Sequence, residues 1–326
     1  MNYIVNENKG PIMSRIGIIT NPHSKLNKRH PERQRLLGYI LGEHGNLELT
    51  NSLADLARVA QKFKDSDIAV VAVNGGDGTI NRTLTAMIQA YGEKPLPKFL
   101  ILRGGTINVL AENIGVSGNP EQILVRYIES LSGLRPSTIT TYRTLCVGGH
   151  YGFLFGNGLV ANYLEEFYKN KTGPLGAIWL IVKIHFWYLW SFEKFRKLIG
   201  EWTYKLTYGP NNAIQITQKT IAVMASTVEK MPLGPKLFPL ARRSLDEFQF
   251  FSLNISARAI VWRLPLAFIR NGEGESFGKL SHVTKKLILE SAEGRRQKYT
   301  LDGELFTSED GKLEISLGPL VDLVVV

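Results

Sequence analysis

Residues 68–91 read IAVVAVNGGDGTINRTLTAMIQAY, and the fold turns on how this stretch is parsed. Its first six residues, Ile68 to Val73, are continuous and apolar, as expected of a strand covered on both faces. Asn74-Gly75-Gly76-Asp77-Gly78-Thr79 then punctuates the chain, and beyond it Ile80, Leu84, Met87, Ile88 and Tyr91 recur at helical spacing. A strand, a glycine turn and a helix in that order bring backbone amides, unobstructed by β-carbons, to the positive end of a helix dipole. That geometry suits a phosphate. Asp77 would repel the same phosphate unless it holds a cation or a proton, so metal binding or acid-base work is its expected employment. The plainer reading is a tight turn whose aspartate caps the next helix.

On either side the plan repeats. Arg15 to Thr20 (RIGIIT) is a short apolar run ending at Asn21-Pro22, a buried strand followed by a loop. Ser52 opens a segment with apolar Leu53, Leu56, Ala57, Ala60 and Phe63, where Ser52 caps the first amides and Asp55 returns the bond. Lys98 to Leu102 (KFLIL) is a third strand, followed by Arg103-Gly104-Gly105-Thr106 and a short helix from about Asn108. Another helix opens at Asn119, with Pro120 in the first turn and Glu121 at the positive end of the dipole. Strand and helix thus alternate over the first 135 residues or so, which predicts a parallel sheet with helices on both faces and a ligand at the strand carboxyl ends.

After Thr138 the texture changes. Short β-rich runs alternate with hairpin signals: Thr144 to Val147, Gly148-Gly149, Tyr151 to Phe155, then Tyr204 to Tyr208, Gly209-Pro210-Asn211-Asn212, Ala213 to Thr217. This half is expected to be an antiparallel sheet or sandwich, with the boundary near Pro136 to Tyr142. Gly173 to Lys197 interrupts it with a helical pattern: Leu175, Ile178, Trp179, Val182, Phe186 and Leu189 share one broad face. Lys183 and His185 break its apolar run short of the roughly 20 residues a spanning helix needs. The segment reads either as a helix packed on the second domain or as one whose rim of Trp187, Tyr188 and Trp190, helped by Lys194, Arg196 and Lys197, touches lipid.

Composition narrows the function. The chain has 326 residues, enough for two domains. Its 39 Lys+Arg against 29 Asp+Glu leave a formal charge of +10, which favours an anionic partner. The one cysteine, Cys146, cannot close an intrachain disulfide, and no signal pattern opens Met1 to Arg15, so a cytoplasmic setting is the default expectation. The six histidines show no metal-binding spacing, and neither a Walker A sequence, a G-x-G-x-x-G after the first strand, nor a G-x-S-x-G elbow occurs. With no basic helix interleaved with aromatics, nucleic acid is not an expected partner. Near the end, Asp302-Gly303-Glu304 places two carboxylates around a glycine: either a plain hairpin tip, or a pair projecting into a crevice where desolvation would raise a carboxylate toward a useful base.

Together these pieces resemble the diacylglycerol kinase catalytic-domain family, which includes soluble bacterial lipid kinases and the sphingosine and ceramide kinases. The likeness rests on Asn21-Pro22-His23-Ser24, on Gly75-Gly76-Asp77-Gly78-Thr79-Ile80-Asn81, on Gly105-Thr106-Ile107-Asn108-Val109-Leu110-Ala111, and on Asp302-Gly303-Glu304. The second motif alone is shared with NAD kinases; its combination with the others is specific. The resemblance implies an α/β chain: a Rossmann-like N-terminal parallel-sheet domain over residues 1–138, to which the extreme C-terminus returns, and a β-sandwich-like lipid-substrate domain over 139–326. It implies ATP beside Asn21, Pro22, His23, Ser24, Lys25, Thr50, Gly75, Gly76, Asp77, Gly78, Thr79, Ile80, Asn81, Arg82, Gly105, Thr106 and Asn108. Glu304 would be the proton acceptor with Asp302 beside it, while Asp77 would either compete for that role or hold Mg²⁺. A lipid kinase at the inner face of an anionic membrane is the implied activity, and the acceptor lipid stays open. A soluble kinase of the NAD kinase type and a catalytically silent lipid- or nucleotide-binding regulator are the alternatives.

Several positions depart from the family pattern. Lys25 stands where the first loop often has glycine, Arg82 where many members have glutamate, and Val109 where an aspartate is frequent. The stretch from Leu237 to Phe248 resembles a segment in which an aspartate and nearby carbonyls bind a structural Mg²⁺. There Asp246 survives while Glu247 replaces a glycine, so Asp246 reads equally as a metal ligand or as a solvated turn acid.

Overall fold

The computed structural model describes residues 15–105, 108–169, 188, 190–232, 236–254, 259 and 280–326. Its first part alternates β1 (Ile16–Thr20), α1 (Lys25–Arg29), α2 (Glu32–Leu41), β2 (Gly45–Leu49), α3 (Leu53–Asp65), β3 (Val70–Asn74), α4 (Asp77–Tyr91), β4 (Lys98–Ile101), α5 (Val109–Ile114) and α6 (Pro120–Leu131). The four strands run parallel in the order β2-β1-β3-β4. Every residue of β1 and β3 is buried, which is why both read as unbroken apolar runs. Caps fix where helices begin. Asp55 N–H donates to Ser52 Oγ at 3.0 Å at the start of α3, and Asn119 forms a reciprocal capping box with Gln122 at the start of α6.

The second part holds β5 (Thr138–Val147), β6 (His150–Gly152), β7 (Leu154–Asn157), α7 (Leu159–Lys169), α8 (Phe192–Ile199), β8 (Trp202–Tyr208), β9 (Ile214–Thr220), β10 (Ala222–Ser226), β11 (Phe248–Leu253), β12 (Leu280–Thr284), β13 (Lys286–Ser291), β14 (Lys298–Leu301), β15 (Glu304–Thr307) and β16 (Lys312–Val325). An antiparallel sheet of order β12-β11-β10-β7-β14-β15 packs on a layer containing β5, β8, β13 and β16. Phe155, Phe248 and Phe250 from the one meet Leu206, Leu289 and Ile315 from the other in a shared core. Each fully buried side chain of this kind contributes about 1.5–3 kcal/mol of transfer free energy. An α/β parallel-sheet part followed by an antiparallel sandwich is the fold class that the sequence predicts.

Three features refine the expectation. The halves do not carry separate sheets, because β16 pairs with β13 and β5 in the sandwich and then runs parallel to β4 at Leu323 and Val324, making one continuous sheet. The single run expected over Tyr151 to Phe155 is two strands in different sheets, since the chain leaves β6 at Gly152 and enters β7 at Leu154. Most of the helix expected from Gly173 to Lys197, including Trp187, lies outside the described residues. Ser191, at φ −145° and ψ 67°, breaks helical conformation, and α8 starts anew at Phe192. Among the described residues no helix is long and apolar enough to cross a membrane.

Candidate active site

The carboxyl ends of β1, β3 and β4 carry three loops that lock together. Asn21 N–H donates to the Asn74 carbonyl at 3.2 Å and Asn21 Nδ2 to Thr79 Oγ1 at 3.0 Å, tying the first loop to the second. Ser24 Oγ donates to the Gly104 carbonyl at 3.3 Å, tying it to the third. The second and third loops meet backbone against backbone: a β-carbon on Gly105 would fall 2.3 Å from Gly76 Cα, so a side chain there would pry the loops apart. Asn108 closes the third loop, its Nδ2 donating to the Gly105 carbonyl at 2.8 Å and its Oδ1 accepting from Gly105 N–H at 3.2 Å. It sits in the left-handed region at φ 55°, which asparagine tolerates better than other side chains.

Asp77 opens α4 in this nest. Burial pushes its pKa up to about 6, against the pull of the backbone amides of Val109, Leu110 and Asn108. Its Oδ1 is buried without a hydrogen-bond partner. An orphaned carboxylate oxygen at a cleft floor fits a hard divalent cation that accompanies phosphates. Among the described residues no group of three His, Cys, Asp or Glu gathers, so Asp77 would be a single protein ligand to an ion held otherwise by phosphate and water.

The second half delivers its acids through the β14–β15 hairpin. Asp302 and Gly303 form its two-residue turn with φ of 50° and 87°, the positive pair that a tight right-twisted hairpin demands. The Asp302 carboxylate turns inward. It accepts from Phe153 N–H at 3.0 Å and from Leu154 N–H at 2.9 Å, and Asn81 Nδ2 lies 3.4 Å away. Those amides belong to the residues where the chain changes sheets, so Asp302 holds the hairpin against the crossover. Glu304 points the other way. Its Oε2 lies 2.5 Å from Arg82 Nη2 on α4, and its Oε1 rests where a β-carbon on Gly78 would be, only 2.0 Å from it. Tyr168 on α7 donates to the Gly303 carbonyl at 2.8 Å. Its own pKa is pushed up to about 12, first by burial and then by the Glu304 and Asp77 charges.

Burial pushes Asp302 up to about 7, against the Phe153 and Leu154 amides, with the Asp77 charge adding to the rise. The folded state then keeps a proton that the unfolded chain has already released, so stability falls as pH rises from about 4 to about 7 and levels off above. Asp77 contributes only up to about 6, so the last stretch belongs to Asp302. Asp302→Asn is expected to flatten the stability profile between about pH 6 and 7, where the wild type loses on the order of 1 kcal/mol per pH unit. Thermal melts at stepped pH check this, and equal slopes in both proteins would sink the attribution.

These groups share one cavity of about 590 Å³. Asn21, Ser24, Lys25, Gly76, Asp77 and Gly78 of the parallel-sheet half line it, followed by Thr79, Ile80, Arg82 and Gly105, and the sandwich half adds Asp302 and Glu304. Pro22, His23, Thr50, Gly75, Asn81 and Asn108 are not in the lining. Of these, Asn81 and Asn108 act from behind by hydrogen bonds, and Thr50 N–H bonds the Thr20 carbonyl at the end of β1. Thr106 lies outside the described residues. Asp246 is elsewhere, bonded to Arg143 rather than to the cavity. Sequence reasoning missed the apolar wall formed by Leu154, Leu164, Phe167, Val228 and Pro232. The amphipathic run of α7 (LVANYLEEFYK) was the available signal for part of it.

Comparison with known proteins bears on this geometry. Residues 15–135 match the model of the diacylglycerol kinase catalytic domain. The chain is 35% identical over 97 residues to "Probable lipid kinase YegS" of Escherichia coli O6:K15:H31 and of Shigella flexneri, a match covering 29% of this chain and 31% of theirs. The matched stretch thus spans about a third of those relatives' length. The fold is similar to that of a diacylglycerol kinase from Bacillus anthracis str. Sterne, with a TM-score of 0.64 at 14% identity over 96% of this chain and 97% of that one. A second solved chain from the same strain reaches 0.71 at 17% identity over 99% of both.

Proposed function

Because residues 15–135 match the diacylglycerol kinase catalytic domain, we propose that the chain transfers the γ-phosphoryl group of ATP to a lipid hydroxyl. The observation that carries this reading is the shared cavity, in which Asp77 from the parallel-sheet half and Glu304 from the sandwich half face one space beside an apolar wall. Residues up to 138 serve the nucleotide in this reading, and residues 139–326 the acceptor. The amides and side chains of Asn21 to Lys25 and Gly76 to Arg82 hold the phosphates, supported by the α4 N-terminus. Mg²⁺, held by Asp77, offsets the charge of the phosphates when it is bound. Glu304 accepts the proton of the lipid hydroxyl as that oxygen bonds to the γ-phosphorus and the bond to ADP breaks. Alignment and charge neutralisation supply most of the acceleration for this kind of transfer.

Leu154, Leu164, Phe167, Val228 and Pro232 favour acyl chains over a second nucleotide as acceptor, which ranks a lipid such as diacylglycerol or a sphingoid- or ceramide-like lipid above NAD. Peripheral docking on an anionic membrane fits the exposed Trp190 and Phe192 beside the exposed Arg196 on α8. Labelled ATP incubated with Mg²⁺ and vesicles containing diacylglycerol, sphingoid base, ceramide or phosphatidylglycerol is the direct test. Label in an organic-soluble product is expected. No labelled lipid from ATP or any other nucleotide donor would overturn the reading, and NADP formation from NAD would put the soluble alternative in its place.

A further inference from the structure

The register of β16 on β5 breaks between Leu317 and Leu320, where β16 passes from the sandwich to the parallel sheet. Gly318 and Pro319 fall out of the ladder there, and their carbonyls need other donors. Two neighbouring side chains of β5 supply them. Arg143 Nη1 donates to the Gly318 carbonyl at 3.3 Å, and Thr144 Oγ1 donates to the Pro319 carbonyl at 2.9 Å.

The same guanidinium reaches a third segment. Arg143 Nε donates to the Leu245 carbonyl at 2.8 Å, and Nη2 lies 3.1 Å from Asp246 Oδ1. The loop answers in kind: Arg242 Nη1 donates to the Thr141 carbonyl at 2.8 Å, while its guanidinium stands 3.9 Å over the Tyr142 ring. Two main-chain carbonyls and one carboxylate from widely separated segments therefore converge on a single positive centre. Hard oxygens of that kind are a set suited to Mg²⁺ or Ca²⁺, and a ligand to a structural Mg²⁺ is one of the two readings that the sequence resemblance leaves open for Asp246. The residues present do not fit that ion, because the fork of Arg143 already occupies the oxygens and a divalent cation beside it would meet like charge.

We propose that Arg143 is a built-in cation that takes the place of a structural metal ion, tying the 241–246 loop and the bend of β16 to β5 so that the crossing between the two halves needs no divalent ion. The carbonyl bonds carry the tie. Arg143 is 21% exposed whereas Asp246 is 71% exposed, and an ion pair that open to solvent is worth little alone. This inference does not depend on the kinase reading, since its test reads stability and metal binding in the nucleotide-free chain.

Thermal unfolding of wild type and Asp246→Asn, each in EDTA and in millimolar MgCl₂ or CaCl₂, is expected to show the same metal response in both, and calorimetric titration no Mg²⁺ or Ca²⁺ binding that Asp246→Asn removes. Arg143→Ala is expected to lower the melting temperature by about 3 °C or more. Millimolar guanidinium should restore part of that loss, while sodium chloride at equal ionic strength should not. Arg143→Lys, which keeps the charge as a point donor without the fork, should recover less than half. An EDTA-induced loss of wild-type stability that Asp246→Asn abolishes would overturn the proposal, as would an Arg143→Ala protein that melts like wild type. Should Arg143→Ala not fold, the comparison of wild type with Asp246→Asn still decides.

Discussion

Glu304→Gln is expected to lower phosphoryl transfer by a factor of about 10²–10⁴, the usual worth of a positioned general base, with melting temperature and nucleotide affinity almost unchanged. Glutamine keeps the length and shape of the side chain and one oxygen that can still accept from Arg82, so the contact between α4 and β15 survives. What it loses is the capacity to take a proton. The expectation separates chemistry from architecture because the two acids of the hairpin turn divide these tasks. Asp302 spends its oxygens on the amides of Phe153 and Leu154, whereas Glu304 lies over Gly78 at the N-terminal end of α4. Steady-state rates with the responsive lipid, together with the binding of a non-hydrolysable nucleotide, check it. Unchanged turnover would remove Glu304 from the chemistry.

The arginine partner of Glu304 bears on the same step. Arg82 occupies a position where a glutamate is frequent, a departure visible in the sequence but without a partner there. In the structure the partner is 222 residues away in sequence, 2.5 Å distant and in the other half of the molecule. Two carboxylates facing each other at this place would repel; a guanidinium instead joins the two halves beside the cavity. The departure is thus matched by a partner of its own within the fold.

Much of the parallel half was legible because its signals are local. An apolar run, an Asx-Pro or glycine turn and a capped amphipathic helix each fit within a window of a dozen residues, and β1, β3, β4, α3, α4 and α6 follow from them. The short edge strand β2 (GNLEL) has no buried position, its residues being half-buried or exposed, and gave no such run. In the second half the decisive pairings are long-range. Nothing local shows that Leu323 and Val324 will lie beside Phe99 and Leu100, or that the run at Tyr151 will split between two sheets because the Asp302 carboxylate captures the amides at the split. The motif Asp302-Gly303-Glu304 offered a hairpin tip and a cleft acid as alternatives, and the structure makes it both. Which of its acids is anchor and which faces the cavity depends on the turn, where positive φ at Asp302 and Gly303 sends the two side chains to different neighbours. At Asp246 the local pattern left a metal ligand and a turn acid equally open, since Arg143 approaches from 103 residues away.

Asp77→Asn is expected to fail differently from Glu304→Gln, and the contrast assigns the two acids. Replacing Asp77 leaves the fold of the glycine turn in place but removes the charge from the orphaned oxygen, so the affinity for Mg²⁺-bound nucleotide should drop along with turnover, by about 10²-fold or more in each. The wild type should show the same weakness when acidified. With a pKa of about 6 in the free protein, Asp77 is ionised at neutral pH and protonated below it. A cation competes with that proton, so metal-nucleotide affinity should decline as pH falls through about 6, and binding near that pH should release protons into the buffer. In Asp77→Asn the share of the decline and of the proton release that this carboxylate supplies should disappear, leaving only what Asp302 and the nucleotide phosphate contribute; calorimetry in buffers of different ionisation heat reads both. The Glu304→Gln protein should retain them in full. If the pattern is reversed, with Asp77→Asn binding nucleotide like wild type over the whole pH range yet failing to turn over, the proton acceptor is Asp77, and Glu304 serves to fix Arg82 across the cavity.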